Sequence, residues 1–125
     1  MNSLPQIVND AWDSRNDIIV LSTVDINGMP NSIYATCVKR YNDTIFVVAD
    51  NYFNKTRKNI LDGSKTSLLF ITKEGKSFQL KGHVAYLQSG IIYNDMKQWN
   101  PSQHPGNAAV ALEVEEIYSG SEKLL

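Results

Sequence analysis

Residues 47–61 read Val-Val-Ala-Asp-Asn-Tyr-Phe-Asn-Lys-Thr-Arg-Lys-Asn-Ile-Leu, and the side-chain pattern changes partway along this stretch. Its first residues are β-branched and apolar, which is typical of a buried strand. Polar residues follow, and Phe53, Ile60 and Leu61 then mark an apolar stripe. Gly63 fits a helix end, because glycine readily adopts the left-handed conformation found there. The stretch therefore predicts a strand, a polar elbow and a helix.

The start of this helix combines several donors for an anion. Asn54, Lys55 and Thr56 fall at its first turn, where backbone N–H groups lack partners and the helix dipole equals about half a positive charge. An ammonium, a hydroxyl and backbone donors together suit a phosphate group. Arg57 and Lys58 add positive potential. Basic residues on a short helix also commonly form a solvated face, so this spacing leaves both interpretations open.

The composition predicts one globular domain over residues 1–125. Hydrophobic residues make up 42% of the chain and charged residues 20%, which excludes a disordered protein. The formal net charge of −1 provides no positive field to attract nucleic acid. The N-terminal residues show neither a basic flank nor an apolar run. We therefore expect no signal peptide, no membrane anchor and a cytoplasmic location.

The chain alternates between strands and short helices. Helices are predicted where apolar residues recur at helical spacing, at residues 4–12 (with Ser3 as its cap), 54–61 and 91–99. Strands are predicted at residues 17–24, 30–40, 44–49, 65–72, 76–88 and 108–118. Short turns join the first three strands, which indicates an antiparallel meander. The order α-βββ-α-ββ-α-β predicts a mainly β, α+β fold, with six strands in a closed or partly closed barrel.

Four segments of the chain match a known family in register. They are residues 25–30 (Asp-Ile-Asn-Gly-Met-Pro), 47–60, 78–84 (Phe-Gln-Leu-Lys-Gly-His-Val) and 113–118 (Glu-Val-Glu-Glu-Ile-Tyr). Together they resemble the pyridoxamine 5′-phosphate oxidase-like split-barrel flavoproteins, and more narrowly the short bacterial and archaeal members. The resemblance covers nearly the whole chain. It implies a homodimer of six-stranded antiparallel split barrels with short flanking helices, and FMN at each of two sites along the interface.

The resemblance also implies roles for individual residues. The lysine and the hydroxyl residue of the family's elbow bind the phosphate; here these are Lys55 and Thr56, directly after Asn54. Asn59 lies one helical turn after Lys55 and matches a position that supports the same site. The flavin ring is expected along the second strand, with borders on the third and fifth strands. The corresponding candidates are Ile33, Tyr34, Ala35, Thr36, Ala49, Asp50 and Ser77.

The chain also departs from the true oxidases of this family. They carry an arginine on the second strand and a basic residue before the elbow lysine, where this chain has Ile33 and Asn54. Their C-terminal extension supplies an arginine and a histidine to the substrate, whereas this chain ends seven residues after Tyr118. We therefore expect that it does not oxidise pyridoxamine phosphate.

No catalytic acid, base or nucleophile is evident, as expected where the cofactor supplies the chemistry. The leading hypothesis is an FMN-dependent oxidoreductase. The alternatives are a non-enzymatic electron carrier or redox-responsive protein, and a variant that binds haem or the deazaflavin F420. The two histidines have no cysteine cluster beside them, so no metal site is predicted. His104 remains open as a haem ligand or a flavin contact, and Trp99 as a partner for the ring or for a dimer interface.

Overall fold

The computed structural model describes residues 4–125, and these form three helices and eight strands. The helices are α1 (Gln6–Asp13), α2 (Lys55–Leu61) and α3 (Ile91–Trp99). The strands are β1 (Ile19–Val24), β2 (Pro30–Ala35), β3 (Val38–Arg40), β4 (Ile45–Asp50), β5 (Lys65–Ile71), β6 (Ser77–Leu87), β7 (Ala108–Ser119) and β8 (Glu122–Lys123). All three predicted helices are present. Helix α1 begins after Pro5, and its predicted cap, Ser3, lies outside the described residues.

The strands form one antiparallel sheet in the order β2-β1-β5-β6-β7-β4-β3, with β8 paired to β7. Strands β2 and β3 follow each other in the chain but lie at opposite ends of this order. The sheet must therefore curl until its two edges approach each other. This arrangement confirms the predicted antiparallel split barrel with short helices.

The second predicted strand, residues 30–40, is two strands, and the predicted meander is wrong at this point. Strand β2 pairs with β1, whereas β3 pairs with β4. A tight turn separates them, in which the Val38 N–H donates to the Thr36 carbonyl at 3.1 Å. Residues 36 and 37 are Thr and Cys, so no glycine or proline marked the break in the sequence. With β8, the sheet has eight strands instead of six.

The barrel interior is filled by aromatic side chains from the sheet and from α1. Trp12 meets Phe46 and Phe70 edge-on, with ring centroids 4.8 and 5.1 Å apart, and Phe70 stacks on Phe78 at 5.5 Å. All four are buried. Such aromatic pairs contribute about 0.5–1.5 kcal/mol each beyond the area they bury. This core fixes the positions of β4, β5 and β6 from the inside.

Strand β4 delivers the chain to the elbow, residues 51–54, from which α2 begins. Pairing of β4 with β7 continues to Asp50, opposite Ala108. Helix α2 is attached to the barrel by the buried Asn59 amide, whose Nδ2 donates to Thr23 Oγ1 on β1 at 3.0 Å. The elbow is thus held between a buried strand and an anchored helix.

The Lys-Gly segment at residues 81–82 has a structural explanation. The pairing of β6 with β7 shifts register between Lys81 and Gly82. A Cβ atom on Gly82 would lie 1.9 Å from the Glu113 carbonyl oxygen. Glycine is required here because the two backbones approach more closely than any side chain allows.

Candidate functional site

A cavity of about 380 Å³ lies where strand β2 and the end of β4 face the elbow and the start of α2. Most of the residues predicted for the cofactor site line it. They are Ile33, Tyr34, Ala35, Thr36, Ala49, Asn54, Lys55 and Thr56. The curl of the sheet brings β2 to the elbow, so residues distant in sequence share one cavity.

One end of the cavity is polar. Asn31 Nδ2 donates to the Thr56 hydroxyl oxygen at 3.0 Å, and Thr56 is buried. Because the hydroxyl accepts this bond, its own proton remains available to donate to a bound acceptor. Lys55 stands beside it at the start of α2, which has no side-chain cap. An ammonium, a hydroxyl and uncapped backbone N–H groups are therefore gathered at this end.

Strand β2 forms the apolar wall. Asn31, Ile33 and Ala35 are half-buried, whereas the residues between them are exposed. This alternation places Asn31 on the same face as Ile33 and Ala35, two of the four residues along which the ring was predicted to lie. Sequence reasoning missed Asn31, although the period of two, extended back from Ile33, could have identified it.

The three cations of α2 have different partners. Arg57 forms an ion pair with Asp50, and Lys58 forms one with Asp62 at 3.0 Å. Over residues 4–125, Lys55 is paired with no carboxylate within 4 Å. The sequence interpretation counted all three as positive potential for an anion. The structure leaves Lys55 as the unpaired member of the three.

A buried network around Asp50 lies behind the elbow. Arg57 binds both carboxylate oxygens, with Nε to Oδ2 at 2.7 Å and Nη2 to Oδ1 at 3.0 Å. The Tyr86 hydroxyl donates to Oδ2 at 2.5 Å, and the Phe53 N–H donates to Oδ1 at 3.0 Å. This network joins β4, the elbow, α2 and β6 through one carboxylate.

The network keeps Asp50 ionised. Burial alone raises the pKa of this carboxyl, but the hydrogen bonds from Arg57, Tyr86 and Phe53, with the Arg57 charge, outweigh burial and lower it. The bond to Asp50 raises the pKa of Arg57 in turn. Burial, followed by the bond to Asp50, raises the pKa of the Tyr86 hydroxyl. Asp50, predicted to border the ring, is therefore committed to an internal ion pair and does not line the cavity.

The elbow also holds the loop of residues 101–107 in place. Asn51 and Asn100, both buried, exchange amide hydrogen bonds at 2.8 and 3.1 Å. The Gly106 N–H donates to Asn51 Oδ1 at 3.0 Å. On the cavity wall, the Tyr52 hydroxyl lies 3.1 Å from His104 Nδ1. Sequence reasoning had left the place of His104 open, and the structure puts it in the same cavity as Lys55.

Three further predicted residues lie outside the cavity lining. Asn59 is bonded to Thr23 at the base of α2. Trp99 packs against the smaller core cluster, and its Nε1 donates to Asp95 at 3.2 Å. Ser77 lies in a second groove. Their predicted roles toward a cofactor stay predictions.

This second groove is open and largely apolar. Ile18, Leu69 and Ile71 border it and are exposed, as is Tyr34, with 79% of its surface accessible. Tyr34 and Thr36 line both the groove and the cavity. The two sites therefore meet along β2.

Residues 4–125 contain neither a cluster of metal-binding side chains nor a membrane-spanning helix. No three His, Cys, Asp or Glu side chains come together there in a way that could hold a metal ion. None of the helices in that part of the chain combines the length and apolar character needed to cross a membrane.

The fold and the elbow site define a class of protein. The pyridoxamine 5′-phosphate oxidase family matches this chain over residues 9–120, and the chain belongs to that family. One relative is an uncharacterised protein, MJ0282, from Methanocaldococcus jannaschii. It is 31% identical over 111 residues, which cover 84% of this chain and 74% of that protein.

Solved structures share the same fold. HupZ from Group A Streptococcus superposes with a TM-score of 0.83 at 23% identity over 97% of both chains. An FMN-binding protein from Syntrophomonas wolfei has a TM-score of 0.75 at 20% identity, over 94% of this chain and 83% of that one. The heme storage protein HutZ from Vibrio cholerae reaches 0.70 at 17% identity, over 94% of each chain. These likenesses establish the split barrel.

Proposed function

We propose that this chain is a flavoprotein that binds FMN in the cavity between β2 and the elbow. The observation that carries the proposal is that one cavity combines three features. They are the Lys55 ammonium, which has no carboxylate partner among residues 4–125, the buried Thr56 hydroxyl, and an apolar wall formed by β2. The polar end fits a phosphate group, and the Ile33–Ala35 wall fits a planar aromatic ring. An FMN-binding protein among the structural relatives supports the same cofactor.

Bound FMN would supply hydride or electron transfer, and the protein would bind, orient and shield it. In the proposal, Lys55 and Thr56 hold the phosphate, and Ile33 and Ala35 support the ring. Among the described residues, no Asp or Glu lines the cavity, so the site has no carboxylate for acid–base catalysis. This agrees with an oxidoreductase whose reaction is carried by the cofactor.

The test is the spectrum and stability of the purified protein with FMN. A ligand at 100 times its Kd stabilises the folded state by about 2.7 kcal/mol, which raises the melting temperature by several degrees. Hemin and F420 are titrated in parallel, since HutZ is a heme storage protein and another structural relative is an F420 reductase. A colourless protein that FMN does not stabilise contradicts the proposal. If hemin or F420 alone stabilises the protein, that molecule is the cofactor instead of FMN.

Turnover separates an enzyme from an electron carrier. We propose an oxidoreductase, so FMN-loaded protein should oxidise a nicotinamide cofactor repeatedly when an electron acceptor is present. Stoichiometric reduction without further turnover supports the non-enzymatic carrier instead. The comparison uses free FMN at the same concentration as its control.

We also propose a homodimer with the cavity at its interface. The apolar groove bordered by Ile18, Leu69 and Ile71 is continuous with the cavity through Tyr34, and a second copy would remove this surface from water. Leu69→Lys should shift sedimentation from dimer to monomer and weaken FMN binding. Lys73→Ala, in the turn between β5 and β6, is the control. A monomeric wild-type protein at micromolar concentration contradicts the proposal.

A further inference from the structure

Tyr52 and His104 form a polar pair on the cavity wall that the phosphate site does not use. The Tyr52 hydroxyl lies 3.1 Å from His104 Nδ1, and the two rings meet edge-on with centroids 5.6 Å apart. Both side chains line the cavity. The pair therefore faces the same ligand as Lys55.

The position of His104 is set by the bonds that hold its loop, residues 101–107. The Asn51–Asn100 amide pair and the Gly106 N–H hold the base of its loop. Lys97 Nζ also donates to the Pro105 carbonyl at 2.9 Å. These bonds fix the loop without using the His104 imidazole, which is bonded to Tyr52 through Nδ1 and leaves Nε2 to contact a ligand.

The place of the pair along the wall indicates which part of a ligand it meets. The segment that contains the elbow lines the cavity from Ala49 at the end of β4, whose N–H donates to the Cys37 carbonyl at 2.9 Å, to Thr56 in α2, which is bonded to Asn31. Asn31 and Ala35 on the opposite wall lie about 13 Å apart, at roughly 3.3 Å per strand residue. In the sequence, Tyr52 lies between Ala49 and Thr56. Tyr52 thus precedes Lys55 and Thr56 along the segment that lines the cavity, and neither Tyr52 nor His104 takes part in the Asn31–Thr56 bond.

One arrangement of the bond to Tyr52 leaves the second imidazole nitrogen as a donor to a ligand. When the Tyr52 hydroxyl donates to Nδ1, the proton of a neutral imidazole resides on Nε2. We infer that His104 donates a hydrogen bond from Nε2 to an acceptor atom of the flavin ring system, and that Tyr52 is the positioning residue that sets this tautomer. The inference rests on the proposed binding of FMN in this cavity.

The test compares two ligands that share the ring but differ in the phosphate. FMN and riboflavin are titrated into the wild-type protein, His104→Ala, His104→Gln and Lys55→Ala. A neutral hydrogen bond contributes about 0.5–1.5 kcal/mol, so His104→Ala should weaken both ligands by a similar factor of about two- to tenfold. Gln retains an amide donor and should recover part of the loss. Lys55→Ala should weaken FMN alone.

A second readout excludes a purely structural role for the pair. Reduction adds negative charge to the ring, so a donor to the ring favours the reduced form. His104→Ala should therefore lower the reduction potential of bound FMN; a tenfold selective loss for the reduced form corresponds to about 30 mV. Tyr52→Phe should shift it in the same direction by less. Melting of the ligand-free variants verifies that each is folded.

The outcomes separate the two claims. If the wild type binds flavin and His104→Ala binds both ligands as tightly as the wild type, or loses FMN alone, the inference about His104 is wrong and the FMN proposal stands. If the wild type binds neither ligand, the FMN proposal fails and the inference fails with it. An unchanged reduction potential in a folded His104→Ala protein also overturns the inference.

Discussion

The polar end of the cavity and the Asp50 network behind it use neighbouring residues of α2 in opposite ways. Lys55 faces the cavity without a carboxylate partner among residues 4–125, whereas Arg57 binds both oxygens of a fully buried carboxylate. One cation is available to a ligand, and the other joins the helix to the barrel. The charge of a helix in the sequence therefore overstates the field at its end, because internal ion pairs remove part of that charge.

The largest expected effect is on stability, in Arg57→Ala. This change leaves the Asp50 carboxylate buried without its cation, which costs about 3–5 kcal/mol in such pairs. The bonds from Tyr86 and Phe53 remain. We therefore expect the free energy of unfolding, measured by urea denaturation, to fall by about 3 kcal/mol, at the lower end of this range. Lys58→Ala is the matched control on the same helix, since its ion pair is exposed and contributes about 0.3–0.5 kcal/mol. Equal losses in the two variants would contradict the distinction.

The second effect is on binding, in Lys55→Ala. Hydrogen bonds to charged groups contribute roughly 1.5–3 kcal/mol, so FMN affinity should fall on the order of ten- to a hundredfold. Riboflavin, which lacks the phosphate, should bind the variant and the wild type almost equally in fluorescence titrations. Stability should hardly change, because Lys55 forms no ion pair in the part of the chain described. An unchanged FMN affinity would show that the phosphate does not bind at the polar end of the cavity.

The third effect is the pH dependence of stability due to Asp50. Its pKa is lower in the folded protein than in the unfolded chain, so its ionisation stabilises the fold above the unfolded pKa of about 3.9. This stabilisation disappears as the pH falls through the folded value. At pH 7 the free energy of unfolding of the wild type should exceed that of Asp50→Asn by about 1.5 kcal/mol. This difference in stability should shrink below about pH 4. If the difference in stability grows in acid, folding raises the pKa of Asp50 instead of lowering it, and the prediction is wrong.

The smallest effect is expected for Asn31→Ala. The loss of its bond to the Thr56 hydroxyl removes about 1 kcal/mol of a neutral hydrogen bond, which corresponds to roughly fivefold weaker FMN binding. Ser32→Ala, one residue along on the exposed face of β2, is the control and should bind FMN normally. Similar losses in both variants would point to a general effect on β2 instead of an effect on Thr56.

Most of the fold was predictable from local patterns. Apolar periodicity and turn residues identified the three helices, and α3 coincides with its predicted range. The break in the second strand was not predictable in this way, because Thr36 and Cys37 carry no turn signal. The Thr36–Val38 turn depends on pairing with β1 before it and β4 after it, and these pairings are long-range.

Some residues of the site were likewise predictable from the sequence, and others were not. Lys55, Thr56 and Asn54 were predicted from their place at a helix start, and they line the cavity. Asp50 was predicted beside them, but its carboxylate is bonded to Arg57 and Tyr86. No pattern near Asp50 indicated Tyr86, which reaches it from β6. The same holds for His104, whose contact partner Tyr52 lies 52 residues away in the sequence.

The sequence by itself determined the three helices, most of the strands and the strand–elbow–helix segment, because these depend on propensity and spacing over a few residues. It also indicated the family that residues 9–120 match. Only the tertiary structure decided which cation of α2 stays unpaired, that Asn31 joins the cavity lining and where His104 lies. Each of these depends on residues from different strands meeting when the sheet curls, and the energy of an ion pair or a hydrogen bond is set by the partner it finds there.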